Sequence, residues 1–303
     1  MQKLVAVTGA TGFIGRRLVN SLVDAGWRIK AITRKKIADT DSVNWFYGDL
    51  NSLPVLTDLV RDVSAVIHCA GTVRGGSFGA FAHTNVTGTE NLLKAVVQQK
   101  QPPRFLFISS LAARQPELSW YARSKKQAEQ LVIDHTSELS WTIFRPTAVY
   151  GPGDKELKPL FQATRKGLLP VVGKLQNRFG LLHVDDLVSA IQAWLYLDTP
   201  CPGIYELDDG TTGGYSFPLL ATLTQEIWNR PVRCVVAPHF LIKSIAVINL
   251  WLARIFHYSP MLTPGKVKEL HHHDWVCDNA PLIHALPHWQ PRVRLHDALP
   301  LIV

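Results

Sequence analysis

A glycine-rich segment directly after the first apolar run constrains the fold of this chain most. Residues 4–8 read LVAVT, residues 8–15 read TGATGFIG, and a helical pattern follows as far as Ala25. In such a unit the glycines permit a tight turn, close approach of the backbone to a pyrophosphate, and close helix–strand packing. The N-terminus of the helix offers free N–H groups to an anion. The segment predicts a dinucleotide site, with a ligand-free glycine turn as the alternative. The predicted contacts are Gly9, Thr11, Gly12, Phe13, Ile14 and Gly15.

Short apolar runs and helical patterns alternate through the first half of the chain. Runs bounded by Gly, Pro and Asp that alternate with helices predict βαβ units and a parallel sheet. The predicted strands are Leu4–Thr8, Arg28–Thr33, Ala65–His68, Arg104–Ile108 and Trp141–Phe144. The predicted helices are Gly12–Ala25, Leu53–Arg61, Asn85–Gln99 and Tyr121–Glu138. We therefore expect an α/β fold, a Rossmann-type doubly wound parallel sheet with a smaller, interleaved C-terminal α+β domain.

The division of the chain follows a change of composition after Pro146. Gly and Pro recur from residue 151 onward, so we assign residues 1–150 to the dinucleotide-binding domain and 151–303 mainly to a substrate domain. A helical pattern at Asp185–Leu197 suits packing against the first domain, so residues 181–200 are expected to pack back on it.

Composition narrows the class of protein. With 47% hydrophobic and 18% charged residues, the chain buries enough surface to fold. The net charge of +8 is not concentrated in a dense Lys/Arg run, so we expect attraction to phosphorylated or acidic ligands and no nucleic-acid function. The four cysteines form no CxxC pair, and the first strand leaves no room for a secretory signal. Both features favour a cytoplasmic protein.

Two segments of the C-terminal half invite special interpretations. The apolar stretch 240–262 contains Lys243 and Arg254, so we expect no stable membrane insertion. We interpret the apolar face of this stretch as one that packs on the core of a small domain. The alternatives are a lid over an apolar substrate and peripheral contact with a membrane. Consecutive histidines at 271–273 cannot all face one ion, so this segment is expected to be a surface loop and no metal site is predicted.

The end of the second strand bears on the choice of cofactor. NAD-specific sites usually carry an acidic residue there, which accepts a hydrogen bond from the ribose 2′-hydroxyl. Here the strand is followed by Arg34, Lys35 and Lys36. The planar guanidinium of Arg34 suits a 2′-phosphate. NADP(H) is therefore preferred and NAD(H) is possible, with a solvated basic loop as the alternative.

A tyrosine and a lysine one helical turn apart suggest acid–base chemistry. Tyr121 and Lys125 stand at i and i+4, on one face of a helix. The lysine charge favours the tyrosinate form and would make the phenol a usable general acid and base. Upstream, a strand ends in Ser109 and Ser110, at the edge where such sheets bind ligands, so a serine hydroxyl there can hold a substrate carbonyl.

Over residues 3–190 the chain resembles the extended short-chain dehydrogenases/reductases, also called the NAD-dependent epimerase/dehydratase-like family. The matching segments are TGATGFIG at 8–15, YGDL at 47–50, VIHCAG at 66–71, NVTGTENLL at 85–93, ISS at 108–110, YARSK at 121–125, FRPTAVYGPG at 144–153 and HVDDL at 183–187. The resemblance implies further cofactor contacts: Asp49 and Leu50 for the adenine, Ala70, Gly71 and Asn85 along the cofactor, and Pro146 and Thr147 near the nicotinamide. It also implies that Ser110 polarises the carbonyl, Tyr121 moves the proton, and Lys125 positions the ribose and lowers the tyrosine pKa.

Departures from the family pattern narrow the branch. Dehydratases of the family carry an acidic pair after the serine position, where this chain has Leu111 and Ala112. Epimerases usually have a longer segment between the serine and the tyrosine, and an Arg-Asp pair where this chain has Phe179 and Gly180. The second half looks more like dihydroflavonol-reductase and 3β-hydroxysteroid-dehydrogenase-like members.

The resulting expectation is an NADP(H)-dependent oxidoreductase. It would transfer a hydride between the nicotinamide and a hydroxyl or keto group of a small, partly apolar molecule. An epimerase with tightly bound cofactor and a catalytically silent regulatory or accessory subunit are the alternatives. Homodimerisation is common in the family and is possible here.

Overall fold

The computed structural model describes residues 3–135 and 137–303. The strands are β1 (Leu4–Thr8), β2 (Arg28–Thr33), β3 (Val43–Tyr47), β4 (Ala65–His68), β5 (Arg104–Ile108), β6 (Trp141–Pro146), β7 (Ala148–Tyr150), β8 (Leu168–Val171), β9 (Arg178–Phe179), β10 (Leu181–His183), β11 (Gly203–Leu207), β12 (Tyr215–Ser216), β13 (Arg233–Val236) and β14 (Asp274–Trp275). The α-helices are α1 (Phe13–Asp24), α2 (Leu53–Val60), α3 (Phe78–Ala82), α4 (Gly88–Val97), α5 (Trp120–Asp134), α6 (Lys158–Arg165), α7 (Val184–Leu195), α8 (Phe217–Trp228), α9 (His239–Phe256), α10 (Pro264–His271), α11 (Ala280–Ala285) and α12 (Leu295–Ala298). A π-helical turn spans His83–Thr87, and 3₁₀ turns span Leu111–Arg114 and Leu299–Leu301.

Seven parallel strands form the central sheet, in the order β11-β6-β5-β4-β1-β2-β3. The order reverses at β1, which places the glycine loop at the point where such sheets bind ligands. Apolar side chains cover both faces of this sheet, because parallel strands joined by helices are buried on both sides. The predicted fold class is confirmed. Sequence reasoning missed both outer strands, β3 and β11.

The C-terminal part of the chain interleaves with this sheet. Strand β11 pairs with β6, and α7 packs its apolar face on the core beside α1. Arg17 of α1 bonds through two nitrogens to Asp185 of α7, at 2.5 and 2.9 Å. Three small sheets, β10-β7, β12-β9-β14 and β13-β8, surround a separate apolar cluster that includes Tyr150 and Phe161.

Helix α9 is the least buried of the long helices. Only Ala246 and Ala253 are buried among its residues, so the favoured interpretation of this stretch as a core-facing stripe is wrong. Among the described residues, α9 is also the helix whose length and composition would suit a membrane span, with a mean hydropathy of 1.4 and 11% of the window buried. The apolar pattern recognised in the sequence therefore faces mostly outward.

Candidate active site

The glycine loop of residues 8–15 connects β1 to α1 in a conformation that its glycines make possible. Gly9 has a φ of +70°, and a β-carbon there would lie 2.7 Å from the backbone nitrogen of Ala70. A β-carbon on Gly15 would lie 2.1 Å from the carbonyl oxygen of Gly9. Helix α1 starts after Gly12 with no side-chain cap and no acidic residue in its first turn. Its first N–H groups and its positive dipole end are therefore available to a phosphate group.

Buried polar contacts hold the strand ends beside this loop. The imidazole of His68, at the end of β4, lies 2.6 Å from the Thr8 hydroxyl and 2.9 Å from the Thr89 hydroxyl. Burial lowers the pKa of His68 to about 3, with the nearby charge of Lys125 adding to the effect. The ring is therefore neutral at physiological pH. Through Thr8 the ring also helps to position the loop after β4, because the Ala70 N–H donates to the same Thr8 hydroxyl.

Asn85 and Gly71 lie together at the next strand end. Asn85 falls in the π-helical turn before α4, a deviation that often marks functional positions. Its amide nitrogen donates to the Ser124 hydroxyl at 2.9 Å, and its amide oxygen accepts from the Thr72 N–H at 2.8 Å. A β-carbon on Gly71 would lie 3.2 Å from the Asn85 amide oxygen. Asn85 therefore links the cofactor-side loop after β4 to the helix of Tyr121 and Lys125.

The structure also places the predicted adenosine-side residues. Arg34 follows β2, is exposed, and forms no hydrogen bond or ion pair within residues 3–135 and 137–303. A cleft of about 200 Å³ lies between the glycine loop and the segment after β2, lined by Thr11 and Ile37 among others. Asp49 is exposed and accepts from the Asn51 N–H. Leu50 packs so closely that a β-carbon on Gly88 would lie 2.6 Å from it.

Tyr121, Lys125 and Ser110 converge at the carboxyl edge of β5. Tyr121 and Lys125 lie in the first turns of α5, whose N-terminus is capped by Ser119. The Ser110 hydroxyl lies near enough to the Tyr121 phenol to lower its pKa. The Lys125 ammonium donates to the carbonyl of Ile108 at 2.7 Å. The tertiary structure thus brings the three predicted catalytic residues together.

The electrostatics of this set differ from the sequence-based expectation. Burial raises the pKa of Tyr121 to about 12, and the contact with Ser110 is what opposes the rise. Burial lowers the pKa of Lys125 to about 8, against the favourable charge of Glu129. Desolvation is the largest influence on the Tyr121 pKa, and the Lys125 ammonium bonds to the carbonyl of Ile108, so the pKa of the phenol lies above its ordinary value and not below it. The phenol is a proton donor at neutral pH.

Pro146 ends β6, and Thr147 follows it at the same edge of the sheet. Thr147 is buried, and its hydroxyl oxygen has no hydrogen-bond partner within the described residues. A buried polar atom without a partner costs about 1–3 kcal/mol, so a ligand group at this position would relieve a real penalty. With the uncapped α1 and the open loop edge, this hydroxyl makes the site fit a nicotinamide dinucleotide.

Sequence reasoning missed a buried charge network behind the catalytic residues. Glu129 is fully buried on α5 and accepts from the Ser109 hydroxyl at 2.6 Å. Arg145 of β6 donates to both Glu129 oxygens, at 2.8 and 2.6 Å, and lies 3.5 Å from Glu206. Arg114 donates to Glu206 and to the carbonyl of Val276. The one sequence signal was a glutamate at i+4 from Lys125, on the helix face that carries chemistry.

A second missed contact joins the C-terminal part to the catalytic helix. The Ser119 hydroxyl, which caps α5, donates to Glu269 of α10, and Lys266 donates to the same carboxylate at 2.7 Å. The charge of Glu269 adds to the rise in the Tyr121 pKa. Helix α10 is therefore part of the surroundings of the catalytic tyrosine. His271 is its last residue, so the surface loop expected at 271–273 is in part helix.

Metal ligands are not gathered at this site. Among residues 3–135 and 137–303, no three His, Cys, Asp or Glu side chains are grouped to hold an ion.

The sequence model of the NAD dependent epimerase/dehydratase family matches residues 5–207. The chain belongs to this family. It is accordingly an NAD(P)-dependent enzyme of the extended short-chain dehydrogenase/reductase type, which confirms the resemblance drawn from its motifs.

Two curated relatives represent different chemistries within the family. A ceramide reductase of Caulobacter vibrioides (strain NA1000 / CB15N) is 32% identical over 295 residues, covering 94% of this chain and 89% of that protein. A UDP-glucose 4-epimerase of Vibrio cholerae is 28% identical over 262 residues, covering 77% and 79%. A solved structure of MoeE5 with UDP-glucuronic acid and NAD superposes with a TM-score of 0.75 at 24% identity, covering 98% of this chain and 97% of that chain. That likeness establishes the fold.

Proposed function

We propose that the protein is an NADP(H)-dependent reductase of a keto group in a partly apolar molecule, with a lipid of the ceramide class as the first substrate to test. The observation that carries the proposal is the convergence of Ser110, Tyr121 and the buried Lys125 at one strand end, with a phenol that stays protonated at neutral pH. The similarity to a ceramide reductase along 94% of the chain supports the substrate class. Leu111 and Ala112 supply no acid for eliminating water.

The residues of the chain divide the work of such a reduction. When bound, the nicotinamide cofactor supplies the hydride. The Ser110 hydroxyl and the Tyr121 phenol hold the carbonyl oxygen, and the phenol donates its proton to that oxygen as the carbon accepts the hydride. Lys125 is mostly protonated at neutral pH, since its pKa is about 8. Its charge stabilises the tyrosinate that proton donation leaves behind.

The preference for NADP(H) rests on Arg34. Its guanidinium is exposed and unpaired in the described structure, next to the end of β2, and a charge-assisted bond to a 2′-phosphate contributes about 1.5–3 kcal/mol. Arg34→Ala should weaken NADPH binding by about 10- to 100-fold and leave NADH binding nearly unchanged. Arg28→Ala is the matched control, because Arg28 is an exposed arginine at the opposite end of the same strand. Equal losses in both variants, or tighter NADH binding by the wild type, would refute the preference.

Turnover of a keto lipid tests the proposed reaction. Tyr121→Phe should lower kcat by about a hundredfold or more while the variant still binds NADPH, as nicotinamide fluorescence would report. Tyr205→Phe is the control, since this ring packs edge-on against Phe144 of β6. Full turnover by Tyr121→Phe would refute the assignment of the proton donor. Wild-type protein that retains cofactor through chromatography and interconverts sugar nucleotides would support an epimerase instead.

A further inference from the structure

The outward face of α9 forms an apolar surface with an unusual charge environment. We call it the α9 surface; its six most exposed apolar side chains are Phe240, Val247, Ile248, Trp251, Ile255 and Phe256. Val235 and Val236 of β13, immediately before the helix, are also about half exposed. Soluble proteins rarely expose contiguous apolar surfaces of this kind, and those that do generally use them to bind a partner.

The charge around this surface selects the kind of partner. Between Glu226 and Glu269 the sequence contains no acidic residue. The six cations of this stretch are Arg230, Arg233, Lys243, Arg254, Lys266 and Lys268. Lys243 and Arg254 lie on α9 itself and are exposed. An apolar face with exposed aromatic residues, on a helix that carries two exposed cations and no acidic residue, is complementary to a bilayer containing acidic lipids.

The other face of α9 determines how the helix would meet a bilayer. Ala246 and Ala253 are buried, and the Asn249 amide donates to the carbonyl of Leu262 at 2.8 Å. His239, at the start of the helix, lies 2.8 Å from the ring of His271 in α10. These contacts hold α9 against the protein along its length. They favour a helix lying in the plane of the membrane surface over one crossing it.

Helix α9 is connected to the catalytic helix through two neighbouring elements. Leu250 of α9 approaches Gly76, where a β-carbon would lie 3.6 Å from it. The same loop leads into α3, whose Phe81 ring lies 6.1 Å from the ring of Tyr121. On the other side α10 bonds to Ser119, the cap of the catalytic helix. Helix α9 therefore packs on two elements, the loop before α3 and helix α10, that themselves contact the helix of Tyr121.

We infer that the α9 surface docks the protein on anionic phospholipid bilayers, with the active site facing the membrane. A lipid substrate would then reach Tyr121 from the bilayer without crossing bulk water. This delivery step rests on the proposed function, whereas docking itself does not.

Vesicle flotation with purified full-length protein tests the docking. Wild-type protein should float with vesicles containing phosphatidylglycerol and bind phosphatidylcholine vesicles more weakly, with binding reduced by salt. The triple variant Phe240→Ser, Ile248→Ser, Trp251→Ser should lose about tenfold or more in partitioning. Removing the charges of Lys243 and Arg254 with glutamine should cost about fivefold each, on anionic vesicles alone. Leu301→Ser, which changes an 83% exposed leucine elsewhere, is the matched control.

Each other outcome of the flotation experiment overturns the docking. Wild-type protein that ignores vesicles refutes it, and a wild-type dimer that the triple variant converts to monomer assigns the surface to a second copy of the chain. Equal loss in the Leu301→Ser control refutes the role of α9.

Turnover assays separate docking from the proposed reaction. The triple variant should reduce a short, water-soluble ketone at the wild-type rate and a vesicle-embedded ketone more slowly, whereas Tyr121→Phe should float normally and reduce neither. If the wild type floats and no ketone is reduced, the proposed function fails and docking stands. If the wild type reduces the soluble ketone and does not float, docking fails alone.

Discussion

Removing the charge of Glu129 should destabilise the protein far more than removing a surface carboxylate. The residue is fully buried and receives hydrogen bonds from Ser109 and from two nitrogens of Arg145. Burial acts to lower the pKa of the Arg145 guanidinium, but the hydrogen bonds to Glu129 and its charge outweigh burial and raise that pKa. Glu129→Gln keeps the shape of the side chain but turns an amide donor toward the guanidinium. The perturbation therefore leaves Arg145 as a poorly compensated buried charge.

The magnitude follows from the contacts that remain. Breaking a buried ion pair by changing one partner costs about 3–5 kcal/mol. Glu206, 3.5 Å from Arg145, still offers partial compensation, so we expect a loss near the lower end, about 3 kcal/mol. The exposed pair of Glu90 and Lys94 on α4 provides the control, where Glu90→Gln should cost about 0.5 kcal/mol or less.

Denaturant unfolding of the two variants measures this difference. The double replacement Glu129→Leu with Arg145→Met should recover part of the loss, because apolar pairs often replace buried ion pairs without penalty. Equal stability of Glu129→Gln and Glu90→Gln would refute the idea that the network holds β5, β6 and the catalytic helix together.

The remaining predictions concern the cofactor site. Gly15→Ala should abolish NADPH binding, because the new β-carbon would meet the carbonyl oxygen of Gly9. It should also lower the unfolding free energy by about 1–3 kcal/mol or more. Gly79→Ala is the control: the nearest neighbour of its β-carbon would lie at 3.9 Å, so the same melts should show no loss. Thr147→Val should leave stability without cofactor unchanged or higher, because it removes a buried unpaired hydroxyl, and should weaken NADPH binding in titrations; strong destabilisation would contradict this. Burial depresses the Lys125 pKa to about 8 from 10.5, so the unfolded chain binds more protons between these values. The wild-type unfolding free energy should therefore rise with pH across that interval relative to Lys125→Met, and parallel curves would refute it.

Local sequence signals were sufficient for much of the dinucleotide site. The glycine loop, the strand ending in two serines and the Tyr121/Lys125 pair each occupy one short stretch. Backbone geometry dictates the residue type at Gly9 and Gly15, and side-chain chemistry marks the others. The same holds for the five predicted strands, which are short apolar runs. Strand β3 escaped notice because its side chains are largely half-exposed, with only Val43 buried, and β11 because its neighbour β6 lies far away in sequence.

What only the tertiary structure decided depends on contacts between distant segments. Arg145 donates to Glu129, and Ser119 donates to Glu269. Each of these bonds joins two different elements, and no local sequence pattern encodes such partners. The tyrosine pKa rises because the assembled protein excludes water, an effect that helical spacing to Lys125 does not reveal. For α9, the sequence determined an apolar helix, while the packing of other elements determined that most of it faces outward. Burial is a property of what surrounds a segment, so it appears only once the whole chain has folded.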